Sequence, residues 1–490
     1  MIASLVPLAS RSPRRCLLLV GALLIAAVTL PAQEVARTVS SLAGDRLTEK
    51  SPLRFQPAPA GLRTPLRVEE SRRFQRMDGF GASFLEAGMI CLNRLPPAEQ
   101  EKVLQALFDP VAGAGFSAMK TPLAGTDFMS AGPWYTYDDT PGDVEMKHFS
   151  IARDLGPNGL ITYIKRAQKY GRFALQAPMD YPPDWMLLDV QKNQDVNPKY
   201  YDALALYYLR YLQAYQEQGV FIDYLSLFNE PGVYTKIRWN EIRDLLRDHV
   251  GPLLTRAGIA NRIMPSEAPE RRQTARESPV VLDDPAARRF IAVLPYHGYD
   301  VGNFDKIARL HERYPDVPLW MTEYCYAYEA DYPKHIKLPR YDFADGDNWG
   351  NVIASDVEAG ASAWIYWNAI LDEQGGPWAV SPIHGNPDPN IQHAVVIIDS
   401  RSGQVTYTGC YYYLAHFSKF VRPGAVRIGV TGAPKGVRSL AFLTPQNGFV
   451  VQLLNRRKHD ATVNLVWHDR TVPVSLPAIS ITTVRWDRSE

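Results

Sequence analysis

The stretch Tyr224-Leu-Ser-Leu-Phe-Asn-Glu-Pro231 decides how the rest of the chain is read. A short apolar run ends abruptly in Asn229-Glu230, and Pro231 then stops a strand ladder because it has no N–H to donate. The pattern recurs at Pro318-Leu-Trp-Met-Thr-Glu-Tyr324, where Glu323 closes an equivalent run. Working outward, six further runs share the shape. They are Asp78-Gly-Phe-Gly-Ala-Ser83, Phe116-Ser-Ala-Met-Lys-Thr-Pro122, Phe173-Ala-Leu-Gln-Ala-Pro178, Arg262-Ile-Met-Pro-Ser-Glu267, Phe290-Ile-Ala-Val-Leu-Pro-Tyr-His297 and Ala363-Trp-Ile-Tyr-Trp-Asn368. Between them lie stretches of helical periodicity at 97–108, 160–170, 199–218, 238–256 and 303–314. Short apolar runs alternating with helices are the signature of βαβ units around a parallel sheet. Eight such runs predict an α/β fold, a (β/α)8 TIM barrel, with the active site at the C-terminal ends of the strands.

The flanks read differently. Arg11, Arg14 and Arg15 precede an apolar stretch from Leu17 to Leu30 too short to span a bilayer comfortably, followed by small residues at Pro31-Ala32. Residues 1–32 are therefore expected to be a signal peptide, with an uncleaved anchor as the alternative, and the folded part is expected outside the cytoplasm. Residues 33–75 are rich in Pro and Arg and hold one strand-like run, Leu66-Arg-Val-Glu69. The barrel is expected over 76–408. From 409 to 490 a helix-like stretch at 411–420 leads into five alternating runs beginning at Val426, Ser439, Gly448, Ala461 and Ile479, which read as a β-sandwich. The N-terminal strand is expected to complete that sandwich, since its apolar residues otherwise have no sheet.

With 53 Lys and Arg against 52 Asp and Glu, nothing recommends nucleic acid or an anionic membrane as partner. The 26 Tyr and 10 Trp stand out, because aromatic faces stack on sugar rings as well as building cores. Cys16 leaves with the signal. Cys91, Cys325 and Cys410 make an odd set in a chain long enough to stabilise itself by burial, so no disulfide framework is expected. No zinc-type Cys or His spacing occurs, and no metal, cofactor or obligatory protein partner is expected.

Breaking a glycosidic bond takes a proton on the leaving oxygen and stabilisation of an oxocarbenium-like centre, and two flanking carboxyl groups supply both. Glu230 and Glu323, at the ends of the fourth and seventh runs, are placed for this work. Glu230, desolvated beside a second carboxylate, would keep its proton. Asn229 can donate to a sugar hydroxyl, and Tyr299 can donate to Glu323.

These residues meet a family. The ordered set Gly79-Phe-Gly-Ala-Ser-Phe84, Thr121-Pro-Leu-Ala-Gly-Thr-Asp-Phe128, Asn229-Glu-Pro231, His297-Gly-Tyr299, Thr322-Glu-Tyr-Cys325, Trp367-Asn368, Gly375-Gly-Pro-Trp378 and His416-Phe-Ser-Lys-Phe420 resembles glycoside hydrolase family thirty, especially its acid β-glucosidase branch, over nearly the whole chain. The resemblance implies a barrel fused to a β-sandwich made from both chain ends, and a retaining mechanism without cofactor. Glu230 would be the acid/base and Glu323 the nucleophile. Asp127 would bind the sugar hydroxyls, Asn229 the 2-hydroxyl, His297 and Tyr299 would line the pocket, and Trp367 would lie beneath the sugar, with Trp185 and Trp378 as further contacts. Two departures concern the sugar-holding region. Lys120 stands where the relatives carry arginine, and a lysine cannot make a planar two-pronged contact. The third-run loop Ala177-Pro-Met-Asp-Tyr-Pro-Pro-Asp-Trp185 has Met179 where the relatives place an aromatic, so Asp180 becomes a candidate sugar contact. The expected substrate is a carbohydrate or glycoconjugate, a β-glucoside first. A β-xyloside, β-fucoside, β-galactoside or β-1,6-glucan is the alternative, and a non-catalytic carbohydrate-binding protein a remote one.

Overall fold

The computed structural model describes residues 33–488 apart from 63, 131–133, 190–194, 234, 260–261, 329–341 and 378–390. The expected signal segment and Trp378 lie outside the described residues. Eight strands form the barrel: β1 Gly79–Ser83, β2 Ala118–Lys120, β3 Ala174–Pro178, β4 Tyr224–Ser226, β5 Ile263–Met264, β6 Leu294–His297, β7 Leu319–Glu323 and β8 Ala361–Leu371. Each falls on one of the eight runs read from the sequence. Their order is β6-β7-β8-β1-β2-β3-β4-β5, all parallel, and the bridges Ile263 to Ile291 and Ala268 to Tyr296 bring β5 back to β6. β5 is only two residues long because Pro265 follows it and cannot donate to a ladder.

The lower barrel is filled by side chains. Trp320 and Tyr224 pack edge-on, ring centroids 4.7 Å apart, among Ala118, Met264, Val293, Ala363 and Ile365. Trp320 Nε1 donates to Asp78 at 2.9 Å, which seals that end. Bulky filling below requires close approach elsewhere: a Cβ at Gly81 would lie 2.1 Å from the Ala118 carbonyl oxygen, so only glycine lets β1 and β2 meet there.

The helix expected over 238–256 is interrupted. It runs as Trp239–Asp244, then a π-helical turn Leu245–Val250, then Gly251–Arg256, with Pro252 unable to donate in the last segment. Helices Arg271–Glu277 and Gly346–Glu358 were not anticipated.

The second sheet has ten strands and draws on both chain ends. In order they are Thr48–Arg54, Glu34–Ser41, Ser480–Trp486, Phe449–Asn455, Val437–Leu443, Val426–Thr431, Leu66–Arg76, Ala461–Trp467, Arg470–Leu476 and Gln56–Pro57. The N-terminal segment thus gives four strands rather than one, and its last runs straight into β1. Arg470–Leu476 escaped the sequence reading because Pro473 argues against a strand, but this strand has only the two-residue Gln56–Pro57 on its far side. The sheet closes over an aromatic core: Trp467 and Trp486, far apart in strand order, lie 5.9 Å apart, and Phe449 stacks on Trp486 at 5.0 Å.

Helix Gly409–Phe420 joins the two bodies. Phe417 packs on Phe80 of β1, ring centroids 5.6 Å apart, while His416 holds Thr483 Oγ1 at 2.7 Å and Ser40 Oγ at 3.0 Å. The His416-Phe-Ser-Lys-Phe420 motif is therefore the joint between barrel and sandwich. Burial, helped by the Lys419 charge, holds the His416 imidazole down at about 3, below its usual 6.5. A group that refuses its proton when folded stabilises fully above the unfolded value and less as pH falls from 6.5 towards 3. Replacing His416 by Ala is expected to cost about 1–3 kcal/mol at pH 7, because two buried hydroxyls each lose one of their hydrogen-bond partners. It should also remove part of the stability loss that wild type shows between pH 7 and pH 4. Denaturant melts at both pH values check this.

Candidate active site

The eight strands deliver their last residues to one place. Lys120 ends β2, His297 ends β6 and Glu323 ends β7, while Glu230 and Glu267 stand just past β4 and β5. All five are almost wholly buried. Lys120 Nζ sits at the centre. It donates to Glu323 Oε2 at 2.7 Å, Glu267 Oε2 at 3.1 Å and Asn229 Oδ1 at 3.2 Å, and lies 3.4 Å from His297 Nε2. His297 bridges two carboxyls, with Nδ1 2.7 Å from Glu230 Oε1 and Nε2 3.0 Å from Glu267 Oε2. Tyr299 donates to the other Glu323 oxygen, Oε1, at 2.7 Å. Glu230 and Glu323 offer carboxylate oxygens within 4.8 Å of each other.

Charge decides the protonation states. Burial alone would push the Glu267 carboxyl up, but Lys120, His297 and Thr322 hold it down at about 2. Burial would lower His297, yet Glu323 and the hydrogen bonds to Glu230 and Glu267 outweigh it and raise the imidazole to about 9. Lys120 is raised likewise, because Glu267 and Glu323 more than offset its desolvation. Two cations thus face the carboxylates of Glu267 and Glu323. Glu230 is the remaining carboxyl, and burial together with the Glu323 charge raises it above its ordinary value against the opposing pull of the His297 contact.

Glu230 is also held in an uncommon backbone conformation, with φ of 44° in the left-handed region. Its N–H donates to Glu267 O at 2.8 Å and Glu267 N–H returns a bond to Phe228 O at 2.9 Å, so the strained turn is tied to β5. The donor atoms of Glu230, His297 and Glu323 lie within 4.8 Å of one another, and Lys120 Nζ, 2.7 Å from Glu323 Oε2, already sets a fixed cation against one of these carboxylates.

The other residues singled out from the sequence divide into two groups. Asn229 joins the cluster. Because an ammonium only donates, the atom facing Lys120 must be the amide oxygen, which turns the amide NH2 the other way. Trp367, on β8, has Lys120 Nζ 4.9 Å from its ring centroid. Asp180 is buried, and its Oδ2 accepts the Asp127 N–H at 3.3 Å. Burial and the Asp127 charge raise Asp180 well above the carboxylate range. Lys120 takes a place not expected of a sugar contact, since it is fully buried and engaged with two carboxylates. Trp185 stands apart from the cluster: its indole donates to Asp138 O at 2.9 Å and packs edge-on against Tyr200. Glu267 is the member that sequence reading missed. The signal was present, because its run also ends in Glu, but a third carboxylate had no assigned task.

Comparison with known proteins agrees with this geometry. Residues 77–421 match the glycosyl hydrolase family 30 TIM-barrel domain, and residues 424–484 its β-sandwich domain. The chain belongs to glycoside hydrolase family 30. Lysosomal acid glucosylceramidase from Mus musculus is 25% identical over 487 residues, covering 94% of this chain and 91% of that protein. An endo-1,6-beta-D-glucanase from Neurospora crassa is 27% identical over 409 residues, covering 79% and 80%. In fold, the crystal structure of SrfJ from Salmonella typhimurium superposes with a TM-score of 0.81 at 22% identity, covering 93% of this chain and 100% of that one. This family 30 member is a glycoside hydrolase, with a barrel, a sandwich and a carboxylate cluster at the strand ends.

Removing Lys120 leaves buried carboxylates without their cation. Lys120→Met is expected to cost about 3–5 kcal/mol of stability, read from denaturant unfolding, and to lower activity far more than Trp185→Phe. A melting point unchanged by Lys120→Met would contradict the pairing. The raised His297 value gives the opposite pH signature from His416. Its contribution is complete below about 6.5 and is lost as pH rises through about 9. Wild type should therefore lose thermal stability between pH 6.5 and 9, and His297→Gln should flatten that limb.

Proposed function

We propose that this chain is a retaining β-glycosidase working by double displacement, with Glu323 as nucleophile and Glu230 as acid/base. The observation that carries the proposal is the approach of the two carboxyls, whose oxygens come within 4.8 Å. Retaining enzymes hold the pair at about 5–5.5 Å, whereas about 6.5–9.5 Å leaves room for the water of an inverting reaction. Oε2 of Glu323 is engaged by Lys120, so Oε1, which accepts from the Tyr299 phenol, is the oxygen that attacks the anomeric carbon. As that bond forms, the glycosidic C–O bond breaks and Glu230 gives its proton to the leaving oxygen. A water then enters, Glu230 takes its proton, and attack at the same carbon frees Glu323 and the sugar with its β configuration. Lys120 and Tyr299 hold the nucleophile in place, and the Asn229 amide NH2 is directed to the 2-hydroxyl.

The preferred substrate is a β-glucoside with an apolar aglycone. Leu188, Val233 and Val301 expose large apolar side chains on the loops after β3, β4 and β6, at the end of the barrel where the cluster lies. The named activity of the murine relative supports the same reading, and that of the fungal relative supports a β-1,6-glucan as the second one. Asp127 binds glycone hydroxyls in this reading. The basic and apolar character of residues 1–32 supports export from the cytoplasm.

Glu230→Gln is expected to abolish turnover of glycosides with poor leaving groups while sparing activated aryl glycosides by about a hundredfold or more, within the span of general acid catalysis. Glu323→Ala should remove both activities, and added azide should restore release of an inverted glycosyl azide. Equal losses on both substrate classes for Glu230→Gln would undo the assignment. NMR of the first-released anomer from an aryl β-glucoside tests retention directly.

A further inference from the structure

The donor on Glu323 Oε1 does not stand on a strand. Tyr299 belongs to the turn after β6, where Val301, Gly302 and Asn303 have φ of 24°, 135° and 55°. Three successive residues at positive φ, two of them not glycine, are costly and persist only where neighbours fix them. What fixes this turn is Arg271, on the first turn of helix Arg271–Glu277. Its side chain is wholly buried. Nη1 donates to Gly298 O at 2.8 Å and to Asp300 Oδ1 at 3.2 Å, the two residues that flank Tyr299. Nε and Nη2 make a two-pronged pair with Asp356 at 2.8 and 2.7 Å. Asp356 is in turn fixed by Tyr296 Oη at 3.0 Å and Trp364 Nε1 at 3.1 Å.

We propose that Arg271, anchored by Asp356, is a positioning residue of the catalytic reaction: it clamps both neighbours of Tyr299 and thereby sets the phenol against the nucleophilic carboxylate. The inference rests on the assignment of Glu323 as nucleophile. Several features make the clamp specific. Gly298 N–H donates to Glu323 O at 2.9 Å, so the turn is registered to the nucleophile's own backbone on one side and to Arg271 on the other. A Cβ at Gly298 would lie 3.0 Å from both Arg271 Nη2 and the Tyr324 Cβ, so the guanidinium sits directly against the backbone it holds. Asp300 Oδ2 accepts from Arg272 N and Asn303 Nδ2, each at 3.1 Å, tying the far end of the turn to the same helix. A planar fork is required, because one ammonium cannot serve Asp356 in two prongs and the Gly298 and Asp300 oxygens together.

A buried ion pair that merely supports the fold would lower activity independently of Tyr299. A clamp acting through Tyr299 would not, and a double-mutant cycle separates the two. With an aryl β-glycoside that wild type cleaves, Arg271→Lys is expected to lower kcat by about ten- to a hundredfold, with KM changed little, as a small misplacement of a positioned group does. Tyr299→Phe should fall in the same range. The double variant should lie within about twofold of the poorer single one. Losses that multiply in the double variant, or a folded Arg271→Lys enzyme with wild-type kcat, overturn the proposal. Should Arg271→Lys fail to fold, Asp300→Asn takes its place in the cycle, since it removes charge from one side of the clamp and keeps the Asp356 pair. Its kcat should fall and again fail to multiply with Tyr299→Phe. Wild-type kcat or multiplying losses in that cycle equally overturn the clamp. Absence of any hydrolysis by wild type would instead strike the function itself.

Discussion

A lysine ammonium with no access to water, shared between two carboxylates, is the interaction on which the catalytic end of this barrel depends. Lys120 Nζ contacts Glu323 and Glu267, and both carboxylates are buried with it. Carrying one such charge out of water costs several kcal/mol, and the pairing repays this only when the geometry is close and the remaining valences are satisfied. They are satisfied here. Asn229 takes a third ammonium contact, His297 and Thr322 serve Glu267, and Tyr299 serves Glu323. The ammonium and its two carboxylates are thus each held by several neighbours, and they cannot be exchanged one at a time.

The same closure prepares the chemistry. With Lys120 and His297 as cations opposite Glu267 and Glu323, a third negative charge on Glu230 would face two carboxylates in a buried site. That repulsion, with burial, raises the Glu230 carboxyl above its ordinary value. Glu230 and Glu323 therefore meet one shared set of neighbours, His297 and Lys120, rather than separate pockets. Strain follows the same division. Glu230, at φ of 44°, and the turn carrying Tyr299 are left-handed segments next to the Glu230 and Glu323 carboxyls, and each is tied to a neighbouring strand or helix by its own hydrogen bonds.

Much of this was legible in the sequence because strands announce themselves by where apolar runs stop. All eight barrel strands fell on such runs, and Glu230 and Glu323 stand where two of them stop. The limits have physical causes too. Pro473 hid an outer strand, and the short polar strands at the N-terminus lack the alternation that marks a buried face, with Thr48–Arg54 largely exposed. Glu267 ended a run as visibly as Glu230, yet its role comes from a lysine far away in sequence, which no local pattern records. Lys120 shows the same limit from the other side. Read along the chain it is a departure at a sugar-holding position, but in space it is the counter-ion of Glu323 and Glu267.

That relocation changes what the exchange of arginine for lysine means. A guanidinium spreads its charge over a planar fork and would reach two acceptors side by side. A lysine concentrates the charge at one atom, and here that atom lies within 3.2 Å of Glu323, Glu267 and Asn229 at once. The compact cation leaves His297 3.4 Å from Nζ, and the imidazole is a second cation because the Glu323 and Glu267 carboxylates lie 3.8 and 3.0 Å from its Nε2. Lysine at 120, His297 between two carboxyls and Glu267 as the extra anion are therefore one solution rather than three independent choices. The third carboxylate, Glu267, supplies the further anion that makes a lysine workable at the centre of the site.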